Sequence, residues 1–314
     1  MFHRYFSEKQ YCGIVFPFGF SSVYKESESE LYLYYSFRKG NSMPSSIGVA
    51  FSKDGVRFTN LSISVLVHQK QFKLFHIATP AVTKINSLYI MVFSGRTGKF
   101  DPLSIYLAIS KQPQGPFIII GRLLKPNIIR ESFWVDNGPG IVHLGKRKLL
   151  IYYSNTMKTP FDFIRGYIKR KIRCLEITID SINPFSFRTR RLYVLNNLNG
   201  KRGEWNESLF CPGYIEYKGR HYLFPTAGVY SIRPFPSQSI GLFESSNPLF
   251  LECTSKMQLI DGGLERKKIY PRCKGEIGLD TPSPVIINND LFLYFSITDR
   301  TEGRWMTALT IFRR

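Results

Sequence analysis

Hydrophobic positions along the chain fall into many short runs, and few stretches place apolar residues at helical spacing over about a dozen positions. The runs are rich in β-branched and aromatic residues. Gly, Pro, Asn and Ser separate them, which is typical of short β-strands joined by turns. The pattern therefore predicts an all-β protein.

One arrangement of strands recurs five times along the chain. Its clearest copy is FWVDNGPGIVHLGKRKLLIYYS at residues 133–154, in which a proline corner precedes an aromatic strand that ends in Ser. The copies lie roughly 60–70 residues apart, and a fixed period of this size indicates a repeat architecture. The prolines assigned to the copies are Pro17, Pro80, Pro139, Pro212 and Pro284, and the aromatic strands are residues 31–36, 88–94, 149–154, 221–226 and 291–296.

Each copy contains further strands. The segments IGVAFSKDGVRF at 47–58 and IYLAISKQPQGPF at 105–117 match each other, and third strands are predicted again at 174–179, 240–245 and 307–312. The Asp54-Gly55 pair predicts a tight hairpin that leads into a strand at 56–59. Residues 14–20 are predicted to be the first strand of the first copy.

Four strands in each of five copies predict a single five-bladed β-propeller over residues 1–314, with four-stranded antiparallel blades. The alternative is a sandwich of two sheets, but the period is too long for strands spaced about 8–12 residues apart. The predicted blades span residues 14–60, 76–120, 134–190, 207–253 and 280–312.

Composition is consistent with a folded domain, because 43% of the residues are hydrophobic and 15% are aromatic. The start of the chain lacks the apolar stretch of a signal peptide, and no run reaches the ~18–20 residues of a membrane-spanning helix. Five dispersed cysteines without a C-x-x-C pair indicate reduced thiols. A cytoplasmic location is the expectation.

The net charge of +20 permits several kinds of partner, including acidic polysaccharides, anionic membrane surfaces and nucleic acid. The basic residues are spread along the chain without an RNA-binding, zinc-finger or basic-zipper pattern, so solvated loops are favoured over nucleic-acid binding. The sequence has no P-loop, dinucleotide, H-E-x-x-H or EF-hand motif, and we predict no cofactor.

These repeats resemble the blades of the five-bladed glycoside hydrolases, that is, the family 43 arabinofuranosidase and xylosidase group and its relatives in families 32, 62, 68, 117 and 130. Residues 47–58 and 105–117 are similar to the group's I-G-x-A-x-S-x-x-x-G-P-F motif. Residues 136–154, 211–228 and 281–296 resemble its third, fourth and fifth inner strands. The resemblance covers nearly the whole chain and implies a glycosidase that acts on an oligo- or polysaccharide in the central funnel.

Cleavage of a glycosidic bond usually requires two carboxyl groups that flank it. The resembled family places an orienting Asp before the third-blade proline, where Asp136 stands; the alternative is a turn at Asp-Asn-Gly. It places the acid two residues before the fourth-blade proline, which is Phe210 here. Glu207 is the preferred candidate for the acid, and Glu204 is the second candidate. The alternative for both residues is a solvated charge in a loop.

The family's base lies before the first-blade proline, where this chain has Phe16. Asp280 or Asp101 could replace it. Phosphate could also replace water, as in the resembled mannoside phosphorylases. A third alternative is a catalytically silent propeller that binds an acidic polysaccharide or another polyanion.

Three further side chains are predicted to line the funnel. His76 would bind a sugar hydroxyl or transfer a proton, and Trp134 and Trp205 would stack on sugar rings; for each, a structural role is the alternative. The resemblance allows a Ca²⁺ ion in the funnel, but the sequence offers no set of ligands for it, and no metal is predicted.

Overall fold

The computed structural model describes residues 2, 5–38, 46–67, 72–99, 101–125, 134–157, 169–179, 187–195, 198–230, 238–299, 301 and 303–314. For residues 134–139, 156, 157, 169, 189–192 and 194 it describes the backbone alone. This part of the chain is nearly all β, as predicted. None of its helices is long and apolar enough to cross a membrane.

The strands follow one another with one short helix near the end. In chain order the elements are β1 (Glu8–Phe16), β2 (Ser22–Ser27), β3 (Glu30–Phe37), β4 (Ser46–Ser52), β5 (Thr59–Ser62), β6 (Leu66–Val67), β7 (His76–Ile85), β8 (Leu88–Arg96), β9 (Ser104–Ser110), β10 (Phe117–Leu124), β11 (Trp134–His143), β12 (Lys148–Met157), β13 (Lys169–Ile179), β14 (Phe187–Val194), β15 (Ser208–Tyr217), β16 (Arg220–Gly228), β17 (Ser239–Ser245), β18 (Cys253–Asp261), α1 (Arg266–Ile269), β19 (Ile277–Ile287), β20 (Asp290–Asp299) and β21 (Met306–Arg313).

The strands form five sheets, and each sheet is one blade. Blade 1 is β2 to β5, blade 2 is β7 to β10, blade 3 is β11 to β14 and blade 4 is β15 to β18, while β19 to β21 and β1 form blade 5. Neighbouring strands within the four-stranded core of each blade are antiparallel, and blade 2 has the additional parallel strand β6. The inner strands β2, β7, β11, β15 and β19 contact one another around a ring. The predicted five-bladed β-propeller is confirmed.

The first strand of the chain closes the ring, which corrects one prediction. Residues 14–20 were expected to begin blade 1, but β1 pairs with β21 and completes blade 5. The inner strand of blade 1 is β2. The hydrogen bonds between β1 and β21 lie within blade 5, and the chain continues from β1 into blade 1. The Asp54-Gly55 hairpin is also looser than predicted, because β4 ends at Ser52 and β5 begins only at Thr59.

The hydrophobic core lies between the blades, so both faces of a blade are buried. In β12, Leu149, Ile151 and Tyr153 pack against blade 2, whereas Leu150 and Tyr152 pack against blade 4. Successive side chains of a strand point to opposite faces, which explains why the aromatic strands are continuous apolar runs. Each of these large side chains contributes about 1.5–3 kcal/mol through burial.

A bulge interrupts the inner strands at their prolines. It lies at Pro80 in β7, at Pro212 in β15 and at Pro282 in β19, and β11 is irregular around Pro139. A bulged residue is unpaired, so a proline without an N–H group is tolerated there. The fifth copy thus uses Pro282, and Pro284 is paired with Leu293.

The residue before each bulged proline has left-handed backbone geometry, and this identifies the corresponding place in blade 1. The φ angle is 50° at Thr79, 45° at Cys211 and 45° at Thr281, and it is 50° at Phe20. Phe20 is followed by Ser21 rather than by proline. The assignment of Pro17 to this corner is therefore wrong.

The inner strands approach one another closely near the axis. A Cβ atom at Gly213 of blade 4 would lie 2.0 Å from the carbonyl oxygen of Pro282 in blade 5. Real Cβ atoms do not approach a backbone oxygen so closely, so this position accepts only glycine. Equivalent corners of neighbouring inner strands lie side by side, because Gly140 is next to Pro212 and Gly213 is next to Pro282. The first residues of the inner strands therefore lie at one end of the ring, which we call the mouth end.

Candidate functional site

Five residues of the inner strands occupy equivalent places near the mouth end. Each lies opposite the Ser or Thr that ends the aromatic strand of its blade; we call these five residues the mouth positions. They are Gly19 opposite Ser36, Ala78 opposite Ser94, Asp136 opposite Ser154, Phe210 opposite Thr226 and Asp280 opposite Ser296.

Hydroxyl groups of these opposite residues connect neighbouring blades. The Oγ of Ser296 in blade 5 accepts the Phe20 N–H of blade 1 at 2.6 Å. The Oγ of Ser36 in blade 1 accepts the Thr79 N–H of blade 2 at 3.1 Å. Two of the recurring serines thus connect neighbouring blades beside the mouth positions.

Two of the five mouth positions have carboxylates, Asp136 and Asp280. Asp280 is half-buried, and its Oδ1 accepts the N–H of Thr281 at 2.7 Å. The side chain of Asp136 lies outside the described part of the structure, but its backbone is paired with Ser154. The strands β11 and β19 that contain the two residues are in contact. The fold therefore brings these two predicted residues to one ring.

Glu207 lies directly before β15 and is fully buried, with 0% of its surface exposed. Its Oε2 accepts the N–H of Gly203 at 3.2 Å, and its carbonyl oxygen accepts the side-chain N–H of Asn199 at 2.9 Å. The loop at residues 198–207 thus encloses its carboxylate. Glu204 binds the N–H of Lys201 within the same loop. Neither residue occupies a mouth position.

The fourth-blade mouth position is Phe210, and a cation covers it. The guanidinium carbon of Arg170 in β13 lies 4.6 Å from the centre of the Phe210 ring. The backbone N–H of Arg170 binds the Oγ of Ser208 at 2.9 Å, which holds the two blades together at this point. The Nε of Arg170 is buried and has no hydrogen-bond partner among the described residues. Where the resembled family has an acid, this chain has an aromatic ring under a cation.

His76 is the first residue of β7 and is buried, with 9% of its surface exposed. It is paired across the sheet with Arg96, the last residue of β8. The predicted His76 thus lies at the mouth end of blade 2 with a cationic neighbour. Asp101 lies outside the ring, in the loop between β8 and β9, where the hydroxyl of Thr97 donates a hydrogen bond to it.

The tryptophans differ in their surroundings. Trp205 packs into the core between blades 3 and 4, with its ring 6.0 Å from that of Phe243. A Cβ at Gly241 would lie only 2.7 Å from the Trp205 ring, so the glycine at this position makes room for the ring. The side chain of Trp134 lies outside the described residues.

Trp305 is the aromatic residue at the mouth that the sequence analysis missed. It is half-buried, and its ring lies 4.8 Å from that of Phe20. A Cβ at Gly19 would lie 2.8 Å from the Trp305 Cβ, and one at Gly278 would lie 2.9 Å from the Trp305 ring. Two glycines of different blades therefore make room for it. The third-strand repeat could have identified this place, because Trp305 directly precedes β21.

One further polar group at the mouth end is structural. Gln238 is buried and donates to the Tyr230 hydroxyl at 2.8 Å, while its Oε1 accepts the Leu279 N–H at 2.9 Å. This amide links blade 4 to blade 5 beside Asp280. Among the described residues, no three His, Cys, Asp or Glu side chains lie together in a group that could hold a metal ion. The five cysteines are free thiols.

Several solved structures with a similar fold are glycoside hydrolases, although their sequences are distant from this one. No protein-family profile and no curated protein matches this sequence. A thermostable family-43 glycoside hydrolase is 19% identical, with a TM-score of 0.65 over 95% of this chain and 90% of that chain. An α-L-arabinofuranosidase from Lactobacillus brevis is 14% identical, with a TM-score of 0.64 over 96% of this chain and 92% of that chain.

A third similar structure contains a bound oligosaccharide. It is an α-L-arabinanase from Cellvibrio cellulosa complexed with arabinohexaose, 11% identical, with a TM-score of 0.63 over 94% of this chain and 91% of that chain. At these identities the likeness establishes the fold. The resemblance to the five-bladed glycoside hydrolases that the blade motifs indicated is therefore confirmed for the fold.

Proposed function

We propose that this protein binds a glycan at the mouth end of the propeller and hydrolyses one of its glycosidic bonds. The observation that carries the proposal is the presence of two carboxylates, Asp136 and Asp280, at equivalent mouth positions of blades 3 and 5. Two carboxyl groups around one site are what glycoside hydrolysis requires. The similar solved structures, which are glycosidases by name, support the same class of substrate.

In this proposal Asp136 and Asp280 are the catalytic pair, and one donates a proton to the leaving oxygen while the other activates water or attacks the sugar. Asp280 takes the place of the base that blade 1 lacks, because the mouth position there is Gly19. The N–H of Thr281 orients its carboxylate. Glu207 can contact substrate only if residues 198–207 open, so we assign it a positioning role in front of β15.

The substrate-binding residues of the proposal surround this pair. Trp305 offers a half-buried aromatic face to a sugar ring, and Trp134 and His76 lie at the mouth ends of β11 and β7. Trp205 keeps the proposed stacking role only if the blade 3–4 interface opens, because it packs in that core.

A second candidate function is binding of an acidic polysaccharide without cleavage. It is favoured by the absence of a carboxylate at three mouth positions and by Arg170, which lies over Phe210. Phosphorolysis is related to both candidates, since it needs one acid and a cationic site for phosphate. Hydrolysis, binding without cleavage and phosphorolysis predict different results in one assay.

The assay measures turnover of aryl α-L-arabinofuranoside, β-D-xyloside, α- and β-galactosides and β-mannoside, each with and without phosphate. Wild type is compared with Asp136→Asn, Asp280→Asn and Glu207→Gln. Glu252→Gln is the matched control, because Glu252 is exposed and distant from the mouth end. We expect both Asp variants to lose activity by a factor of at least about 100, the low end of the range for acid–base groups, and the control to retain it.

The leaving group assigns the two roles. A nitrophenolate needs little protonation, so the variant that lacks the acid should lose more activity on an alkyl glycoside than on an aryl one. A strict requirement for phosphate would indicate phosphorolysis. If wild type binds glycans and no substrate is turned over, or if both Asp variants remain fully active, the proposed pair is wrong.

A further inference from the structure

A cationic cavity lies in blade 2, outside the ring of mouth positions. Its volume is about 180 Å³, and it is formed where β8 ends, β9 begins and β10 ends. The polar side chains that face it and carry the inference are Arg96, Thr97, Asp101, Tyr106, Arg122 and Lys125.

The charges in this cavity are unbalanced. Three cations, Arg96, Arg122 and Lys125, face a single carboxylate, Asp101. That carboxylate accepts a hydrogen bond from the hydroxyl of Thr97. Within the described part of the chain, none of the three cations is in an ion pair. Among the described residues, the cavity therefore has an excess of positive charge.

Arg96 has an unsatisfied donor. Its Nε is buried and has no hydrogen-bond partner in the described residues, and its guanidinium carbon lies 5.7 Å from the centre of the Phe75 ring. A buried polar group without a partner destabilises the folded state. An oxyanion that accepts from the guanidinium would remove that cost, and arginine binds carboxylates and phosphates with two parallel hydrogen bonds.

Tyr106 supplies a neutral donor beside the cations. It is paired with Arg122 across β9 and β10, and its ring stacks on Phe93 with centroids 5.7 Å apart. Burial raises the pKa of the Tyr106 hydroxyl, although the Arg122 guanidinium partly opposes this shift. Tyr106 thus stays protonated at neutral pH and can donate to an anionic oxygen.

The cavity opens at the same end of the propeller as the mouth positions. Arg96, the last residue of β8, is opposite His76, the first residue of the inner strand β7. The cavity therefore begins at the second strand of blade 2, directly beside the inner strand. A glycan that extends from the mouth across blade 2 would reach it.

We infer that this cavity is a subsite for an acidic group of the glycan, a carboxylate or phosphate on a sugar, bound by Arg96, Arg122 and Lys125. The inference rests on the proposed function for the identity of the glycan, but the subsite itself requires no catalysis. It names a class of substrate, acidic glycans, that the mouth positions alone do not specify.

The test measures binding by isothermal titration calorimetry with the full chain. The probes are glucuronate, glucose 6-phosphate, inorganic phosphate and glucose, with wild type, Arg96→Gln, Arg122→Gln and Arg96→Lys. Arg57→Gln is the matched control, because Arg57 is exposed in the turn between β4 and β5, at the opposite end of blade 1. Thermal unfolding of each variant shows that it is folded.

We expect the two anionic sugars to bind wild type and glucose not to bind. Arg96→Gln and Arg122→Gln should each weaken anion binding by at least about tenfold, and Arg96→Lys should recover part of the affinity because it keeps the charge. Tighter binding of glucuronate than of glucose 6-phosphate would assign a uronic acid, and the reverse order would assign a phosphosugar.

Inorganic phosphate that binds as tightly as both sugars would overturn the inference, because the cavity would then be a site for the free ion. Unchanged affinity in both Gln variants would overturn it as well. Because binding is measured without turnover, the two proposals fail separately. An inactive protein that binds glucuronate through Arg96 contradicts only the proposed hydrolysis, whereas an active one with no anion binding contradicts only the subsite.

Discussion

Three acidic residues near the mouth end differ in what surrounds them, and this decides what each can do. Asp280 is half-buried with one backbone N–H bound, Glu207 is enclosed by its loop, and Asp299 is enclosed by hydrogen-bond donors. A carboxylate enclosed by donors stabilises the fold. A half-buried carboxylate at a mouth position, such as Asp280, is placed where a ligand can reach it.

Asp299 gives a prediction about stability. Its Oδ1 accepts the hydroxyl and the N–H of Thr301 at 2.7 and 2.9 Å, and its Oδ2 accepts the N–H of Lys274 at 2.7 Å. The hydrogen bond from the Thr301 hydroxyl, with the two backbone N–H groups, holds the pKa of Asp299 well below its usual range. We expect Asp299→Asn to lower the free energy of unfolding at pH 7 by about 1–3 kcal/mol.

The pH dependence has a definite sign. A group whose pKa is lower in the folded state stabilises the protein fully above its unfolded pKa of about 3.9, and this contribution is lost as the pH falls through the folded value. The difference in the free energy of unfolding between wild type and Asp299→Asn should therefore shrink below about pH 4. Urea unfolding at pH 7, 5, 4 and 3 measures it, with Glu252→Gln as the control because Glu252 is exposed. A difference that grows on acidification would contradict the explanation.

The two described tryptophans give opposite predictions. Trp305→Ala removes a half-buried ring at the mouth, and we expect glycan affinity to fall by about tenfold, the effect of losing an aromatic contact of about 1.4 kcal/mol, with a smaller loss of stability than Trp205→Ala causes. Trp205→Ala leaves a cavity in the core and should destabilise the fold by about 3 kcal/mol. Glycan affinity chromatography and urea unfolding of both variants separate the roles. Loss of affinity in a stable Trp205→Ala variant would restore the stacking role first expected of it.

At the scale of elements, two of the recurring serines of the aromatic strands connect neighbouring blades. Ser296→Ala would leave the Phe20 N–H without its acceptor, and Ser36→Ala would do the same to the Thr79 N–H. We expect each to cost about 1–3 kcal/mol, the penalty for an unsatisfied buried donor. Ser64→Ala is the control, because Ser64 is exposed. Equal stability of all three variants, measured by urea unfolding, would mean that water replaces the hydroxyl.

The same scale shows why the sequence analysis located the inner strands of blades 2 to 5, although it assigned Pro284 in place of Pro282 in blade 5, and misplaced the inner strand of blade 1. In blades 2 to 5 a proline marks the bulge of the inner strand, so the period is visible in the sequence. Blade 1 has Ser21 at that place, and Pro17 was assigned in its stead. The partner of β1 is β21, at the other end of the chain. A local pattern contains no information about so distant a pairing.

At the scale of the whole molecule, the fold was predictable because every blade repeats the same alternation of buried residues. The site was predictable only where a residue is tied to that repeat. Asp136 and Asp280 precede repeated prolines, and their equivalent places follow from the register. Trp305 could have been found, because it directly precedes the repeated third strand. The enclosure of Glu207 depends on a loop outside the repeat, and the cavity around Arg96 depends on three strands that meet at one corner. No spacing in the sequence reports these.

The net charge of +20 acts on the whole molecule, and it can be separated from the cavity in blade 2. Long-range attraction mainly raises the association rate and is screened by salt, whereas a local charged hydrogen bond mainly slows dissociation. Removing one of 43 basic residues changes the overall field little.

For binding of an acidic oligosaccharide, we therefore expect added salt to slow association equally in wild type and Arg96→Gln. The substitution itself should speed dissociation by about tenfold, as expected for loss of a paired contact with an anion. Stopped-flow binding at several salt concentrations measures both rates, with Arg57→Gln as the control for charge alone. If Arg57→Gln and Arg96→Gln change both rates alike, the basic surface as a whole attracts the glycan and the cavity has no special part in holding it.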